Sequence, residues 1–462
     1  MAESGQKIRI ITLGCAKNEV DSEEIAGVLR AQGHRIDGSG PQSDITIINT
    51  CGFLESSKQE SIDAIRKAVR SKGKGKVIVA GCLAQRMGVE LARVAPGADA
   101  YVGVGQMGRF DEIVQRTLTS SEQLLEVEPP HHRWADVPTR ARTGRPWSAY
   151  LKISEGCDHQ CTFCTIPSFR GRHVSKPMER VLDEARHLAT TGTREVNLIA
   201  QDVTQYGFDL YQKFSLPRLL RELNEIEGLD WIRLLYFYPN KLTDEVIEAM
   251  ATLPKVLPYI DIPLQHVHSD TLRRMKRPWE GERYLKLFEK LRKAMPDCAI
   301  RTTFIVGFPG ETSQEFQALI DFIRQARLDR VGAFLFSREP GTPSYDMPDQ
   351  VPSKVKKERF DRLMSIQQVI SLEVNRSWIG KTVPVLVDEV REGWRAGRSH
   401  RDAPEIDGWV YFQGDAEPGQ LVQVRIDHAE AYDLYGTQAG FTAPEAGRKL
   451  TPLRQASPRV PQ

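Results

Sequence analysis

Residues 149–164 read AYLKISEGCDHQCTFC, a short β-rich run that leads directly into three cysteines, Cys157, Cys161 and Cys164, in CxxxCxxC spacing. Three thiolates within eight residues can hold three irons of a 4Fe-4S cluster and leave the fourth iron open to a small molecule. The alternative is a zinc site completed by His159 or His173. Zinc ribbons, however, present two separated CxxC pairs, and only one is here.

Five further β-rich runs follow: EVNLIA, WIRLLYF, PYIDIP, AIRTTFIVG and VGAFLF. Helical patterns such as MERVLDEARHLATTG, LTDEVIEAMATL and SQEFQALIDFIRQAR separate them. Six strand-then-helix units predict a partial (β/α)6 barrel over residues 148–380, including a long amphipathic helix over 354–380. Such barrels place chemistry at the C-terminal ends of their strands, which is where CxxxCxxC stands.

Upstream, residues 7–117 alternate apolar runs (KIRIITLG, DITIINT, KVIVAG) with amphipathic stretches (DSEEIAGVLRAQG, SSKQESIDAIRKAVR). That is a parallel α/β pattern. Residues 118–147 lose periodicity, gather Pro and Arg, and read as a linker. Downstream, residues 381–440 switch to β alternation in TVPVLVDEV, GWVYF, LVQVRIDHA and YDLYG, which predicts a small five-stranded OB-like barrel. Residues 441–462 read as a disordered tail. Several domains are required in any case, because 462 residues exceed the roughly 250–300 that one core serves.

The second cysteine set is dispersed. Cys15, Cys51 and Cys82 each directly follow an apolar run (IITLGC, IINTCG, VIVAGC) and each precede a helical pattern. If the three runs are parallel neighbours, the thiols share the C-terminal edge of one sheet, where doubly wound folds bind ligands. Any one of them alone could be a buried structural cysteine; three at one structural phase point to a second cluster with one iron free. Cys298 lies outside both patterns and reads as structural.

Composition excludes several classes. With 40% hydrophobic and 27% charged residues, and no apolar run long enough to span a bilayer, the chain reads as an ordinary globular protein with no membrane partner. The N-terminus carries no signal pattern, so the expected compartment is the reducing cytoplasm, where seven cysteines are thiols or ligands. SKGKGK lacks the spacing of a phosphate-binding loop, no serine-nucleophile motif is present, and the pair His131, His132 reads as a surface feature. Net charge is +2, so nucleic-acid binding would need a local patch.

CxxxCxxC at the top of a six-unit barrel resembles the radical S-adenosylmethionine superfamily. The resemblance implies that the open iron binds S-adenosylmethionine, which is cleaved to a 5′-deoxyadenosyl radical with an electron from a low-potential donor. It also implies that Phe163, just before the third cysteine, lines the adenine pocket, although a plain core aromatic is the alternative. Gln201 and Asp202 stand where many members carry a Gly-Gly-Glu motif, and differ from it. In VGFPGE, Gly307, Gly310 and Glu311 match the glycine motif beside the adenosine.

With three cysteines in the N-terminal domain and a small β barrel (TRAM-like) at the C-terminus, the chain resembles the methylthiotransferases over residues 7–440. There, S-adenosylmethionine serves as both radical source and methyl donor, and two 4Fe-4S clusters divide the work. TLGCAKNEVDSE, NTCGFLESSKQES, YLKISEGCDHQCTFCTIPSFRGR and YIDIPLQH are similar to the branch that modifies the β-carbon of an aspartate in the twelfth protein of the small ribosomal subunit. The alternative branch modifies isopentenyl-adenosine in tRNA; a reading from another class is a non-catalytic iron–sulfur sensor that binds ribosomes. Charge separates the two branches: residues 381–440 hold six Lys or Arg against eleven Asp or Glu. Such a barrel should repel RNA and attract a basic ribosomal protein.

Overall fold

Isoleucine and valine runs such as ITIINT and KVIVAG suit strands buried on both faces, as a helix-covered parallel sheet requires. In the computed structural model, β1 (Lys7–Thr12), β2 (Arg35–Ile36), β3 (Ile45–Thr50), β4 (Lys76–Gly81), β5 (Ala100–Val102) and β6 (Leu124–Glu126) form one parallel sheet in the order β2-β1-β3-β4-β5-β6. The structure describes residues 5–36, 43–130, 134, 140–278, 280–391 and 393–441. His131, His132, Glu392 and the expected tail beyond Phe441 lie outside these. Ile45 and Ile47 pack under the Ala16–Ala31 and Phe110–Thr119 helices, while Ile48, Val77 and Val79 pack under Glu55–Ser71. β6 lies in the stretch read as linker, because three residues are too few for a period to register.

All six expected barrel runs are strands: β7 (Ser148–Lys152), β10 (Glu195–Ile199), β11 (Trp231–Leu234), β12 (Tyr259–Asp261), β13 (Ala299–Val306) and β14 (Arg330–Leu335). A short antiparallel ribbon of β8 (Ser154–Glu155) and β9 (Val174–Ser175) follows β7. The parallel halves β7-β10-β11 and β12-β13-β14 meet where Ile232 donates to the Lys255 carbonyl (2.7 Å) and accepts from Leu257 (2.9 Å). The long helix that follows spans Ser353–Arg376. On the inner side of the arc, Tyr150, Ile199, Trp231 and Tyr259 pack against Val20 of the first helix and against Leu386 and Ala403 of the C-terminal domain. Among the described residues, no helix is long and apolar enough to cross a membrane.

The C-terminal strands β15 (Thr382–Arg391), β16 (Trp394–Ser399), β17 (Val410–Gln413), β18 (Leu421–Ala429) and β19 (Leu434–Gln438) close into a five-stranded barrel. β16 reads WRAGRS and has no apolar run, because its arginines are structural. Arg398 pairs with Glu195 (2.5 Å) at the start of β10 and with Asp388 (2.6 Å). Arg233 joins Glu195 (3.1 Å) and donates to the His400 carbonyl (2.8 Å). Arg401 pairs with Asp329, Arg330 with Asp402, and Tyr259 donates to Asp407. The barrel therefore seals the N-terminal end of the strand arc, opposite CxxxCxxC. This corrects the charge reading: Asp388, Asp402 and Asp407 are not a surface patch but 0–3% exposed partners of arginines. With those three and the buried Arg398 and Arg401 set aside, the described barrel surface still holds seven carboxylates against four cations.

Burial alone would raise the Glu195 carboxyl, but Arg398 and Arg233 outweigh it and hold it at about 2 against an ordinary 4.5. Its stabilisation is therefore complete above about pH 4.5 and lost as pH falls towards 2. Replacing Glu195 by Gln leaves Arg233 buried without its carboxylate and Arg398 with Asp388 alone, and is expected to cost about 3–5 kcal/mol at neutral pH. Denaturant unfolding at several pH values should also show a shallower acid loss in the variant than in the wild type.

Candidate active site

Cys15, Cys51 and Cys82 follow β1, β3 and β4, three adjacent parallel strands, and so share the C-terminal edge of the sheet. Gly14 allows the close approach of two of these loops: its φ is +95°, and a Cβ there would lie 2.9 Å from Cys51 Sγ. Asn18, fully buried, ties the three loops together. Its Nδ2 donates to the Leu13 carbonyl (2.7 Å) and the Thr50 carbonyl (3.1 Å), and its Oδ1 lies 3.6 Å from Cys82 Sγ. Cys15 is exposed, whereas Cys51 and Cys82 are buried. Burial pushes the Cys82 thiol up to about 12 despite Arg170 nearby.

Cys157, Cys161 and Cys164 stand after the β7–β8 segment, at the C-terminal end of the arc. Backbone bonds fix their loop: Cys157 N–H donates to the Gly171 carbonyl (3.0 Å), Cys164 to that of Cys161 (3.1 Å) and Thr162 to that of Met275 (3.1 Å). Burial pushes the Cys157 and Cys164 thiols up to about 12. Arg277 places Nη1 3.9 Å from Cys161 Sγ and lies 4.2 Å over the Tyr238 ring, which also stacks on His159. Among the described residues, the set of ligand atoms that converges within 4.8 Å is His268, Asp270 and Glu315. His268 and Glu315 are occupied as helix caps, and Glu315 also pairs with Arg274.

The residues expected at the cofactor divide into two groups. Phe163 is half-buried and meets Phe308 of the glycine motif edge-on at 6.5 Å, so the cysteine loop and the motif are neighbours. Gln201 donates to Glu155 (2.6 Å), and its buried Oε1 has no hydrogen-bond partner. Gly307, at φ +74°, has no room for a Cβ, which would lie 2.3 Å from Lys356 Cγ; Gly310 shares the left-handed conformation. Asp202 and Glu311, by contrast, are turned into the fold. Asp202 accepts from His159 (2.8 Å) and Thr204. Burial would raise its carboxyl, but those bonds outweigh it and hold it below the ordinary range. Glu311 accepts from Gly307 N–H (2.9 Å) and Arg359 (2.6 Å).

The residues that join the two cysteine sets escape sequence reasoning. The short Ile166–Arg170 helix begins just after Cys164 and ends on Arg170, whose Nε lies 3.2 Å from Cys82 Sγ and whose Nη2 donates to Asn18 (2.7 Å). Arg170 also pairs with Asp21 (2.9 Å) and Glu155 (3.1 Å), and Lys152 with the same two carboxylates (2.5 and 3.3 Å). The available signal was a helix, AKNEVDSEEIAGVLRA, with little apolar stripe in its first turns: Asn18, Asp21, Ser22 and Glu23 are all buried.

Residues 7–103 match uncharacterized protein family UPF0004, 151–323 the radical SAM superfamily and 379–438 the TRAM domain. Ribosomal protein uS12 methylthiotransferase RimO of Moorella thermoacetica is 47% identical over 93% of this chain and 98% of that protein. The proteins of the same name from Symbiobacterium thermophilum and Geobacter sulfurreducens are 45% and 44% identical, over 93% and 94% of this chain and 90% and 99% of theirs. Among solved structures, the radical S-adenosylmethionine methyltransferase TsrM of Kitasatospora setae has a TM-score of 0.55 over 84% of this chain and 78% of that one; at 14% identity the likeness is one of fold. Identities of this size to the three relatives, over nine tenths or more of each chain and through all three domains, mean that the chain belongs to the ribosomal protein uS12 methylthiotransferase family.

Proposed function

We propose that the chain methylthiolates an aspartate of ribosomal protein uS12 in the cytoplasm, with Cys157, Cys161 and Cys164 holding one 4Fe-4S cluster and Cys15, Cys51 and Cys82 a second. The observation that carries the two-site reading is Arg170, which follows one cysteine set in the chain and touches the other. When bound, the two clusters and S-adenosylmethionine supply the radical, the methyl group and the sulfur. Both trios fit such groups: each offers three soft sulfur donors at the C-terminal ends of its strands, and Cys82, Cys157 and Cys164, whose thiols burial pushes up to about 12, need a metal to lose their protons.

The chain's own residues bind and orient. Arg277 and Arg170 place positive charge beside Cys161 and Cys82, offsetting the thiolates' negative charge. Gln201 Oε1 is a free acceptor for the amino group of S-adenosylmethionine, and Phe163, Gly307 and Gly310 line its adenosine end. Asp202 and Glu311 act as positioning residues, holding His159 and the glycine turn. Cys15, the exposed member of its set, marks where the substrate approaches. The acidic surface of the C-terminal barrel suits a basic protein substrate, and a low-potential donor supplies the electrons.

Anaerobically reconstituted protein is expected to hold about eight irons. The change of Cys157, Cys161 and Cys164 together to Ala should leave about four and stop cleavage of S-adenosylmethionine. Iron analysis giving about four in the wild type would remove the second cluster. The change of Cys15, Cys51 and Cys82 together to Ala should spare reductive 5′-deoxyadenosine formation and abolish methylthiolation of purified uS12. Methylthiolated product from that variant would refute the division of labour, and wild-type product on tRNA with none on uS12 would reassign the substrate.

A further inference from the structure

We infer that the N-terminal domain carries a cationic groove that docks the RNA backbone of the small ribosomal subunit, so that uS12 is engaged in its RNA-bound form; this rests on the substrate reading above. Residues 66–76, RKAVRSKGKGK, hold six Lys or Arg and no carboxylate. They run from the end of the Glu55–Ser71 helix into β4. Beside them is a groove of about 230 Å³ lined by Arg9, Lys67, Lys72 and Lys76 together with Ser43 and Thr46, and no acidic residue lines it.

The fold explains why this face is open. The Glu55–Ser71 helix covers β3 and β4, and its apolar side packs on Ile48, Val77 and Val79. Arg9 on β1 and Thr46 at the start of β3 stand where that cover ends. A helix C-terminus favours one or two cations, which Arg70 satisfies; the remainder need another account. Lys72 and Lys76 share a single carboxylate, Asp99, at 2.8 and 3.3 Å, which leaves one positive charge in excess. Among the described residues, Arg9, Lys67, Arg70 and Lys74 form no ion pair. Lys67, Arg70 and Lys74 are exposed.

Extended phosphate fits this arrangement better than a single anion. The cations continue from the groove along the exposed Arg70 and Lys74, as a track does, whereas Arg66 pairs with Asp63. The groove lies towards the N-terminal ends of the strands, away from Cys15, Cys51 and Cys82, so RNA docked there leaves the cysteine edge clear. With a net charge of only +2, the chain concentrates positive charge here and negative charge on the C-terminal barrel. A ribonucleoprotein target, with phosphates beside a basic protein, matches both ends.

The test compares the wild type with the combined Lys67→Ala, Arg70→Ala, Lys74→Ala variant, measuring binding to small ribosomal subunits and to isolated uS12 over a salt series. Loss of three phosphate contacts should reduce the slope of log affinity against log salt by about two to three and weaken subunit binding by roughly tenfold or more. Binding to isolated uS12 and cleavage of S-adenosylmethionine should be unchanged. A Lys67→Arg, Lys74→Arg variant should keep the wild-type slope, which separates charge from folding. Unchanged slope and affinity in the alanine variant, or suppression of subunit binding by millimolar inorganic phosphate to the same degree in both proteins, would overturn the groove as an RNA site. If the variant loses subunit binding but the wild type methylthiolates no uS12, the groove stands and the proposed substrate falls.

Discussion

Four buried charges hold the two cysteine sets together: Lys152 and Arg170 against Asp21 and Glu155, each with a side chain 1–4% exposed. Asp21 lies two turns into the helix that Cys15 begins, Lys152 and Glu155 on the segment leading to Cys157, and Arg170 at the end of the helix after Cys164. Removing one partner from such a cluster leaves an uncompensated buried charge at a cost of about 3–5 kcal/mol, so the cluster tolerates one register of the N-terminal domain on the barrel. Arg170 extends that register to the sulfur of Cys82 and to Asn18, which spans the three loops of the other cysteine set. The same ion cluster thus positions both groups of thiols.

The open arc of six strands would be a poor fold by itself, with its inner face uncovered. The flanking domains complete it from two directions. Val20 of the N-terminal domain and Leu386 and Ala403 of the C-terminal barrel fill the inner side, and the arginine network around Glu195 closes the N-terminal end of the strands. The C-terminal ends are left for chemistry, as barrel folds require. The TRAM match and the basic groove place the two charged surfaces on different domains, away from the thiols.

What was legible in the sequence was local. Each barrel strand is an apolar run bounded by helical periods, and each cysteine of the second set follows directly on such a run, so the strands could be read without contacts, and the shared sheet edge on the condition that the three runs are parallel neighbours. What was missed depends on partners far along the chain. Arg170 meets Asn18 across 152 residues and Lys152 meets Asp21 across 131, and nothing in either segment announces the other. Buried polar residues on the first helix resemble a solvated face, and the arginines of β16 hide a strand. The acidic count over the C-terminal barrel included Asp388, Asp402 and Asp407, whose charge is spent on buried arginines; composition cannot distinguish a surface carboxylate from a paired one.

The central claim, that this fold delivers a methylthio group to one ribosomal protein, is tested most directly by intact and peptide mass spectrometry of uS12 from cells with and without the gene for this chain. The expected result is one methylthio group replacing a hydrogen on a single aspartate, lost on deletion and restored by the wild-type gene. Unchanged uS12 mass on deletion, accompanied by loss of methylthio groups from tRNA, would contradict it.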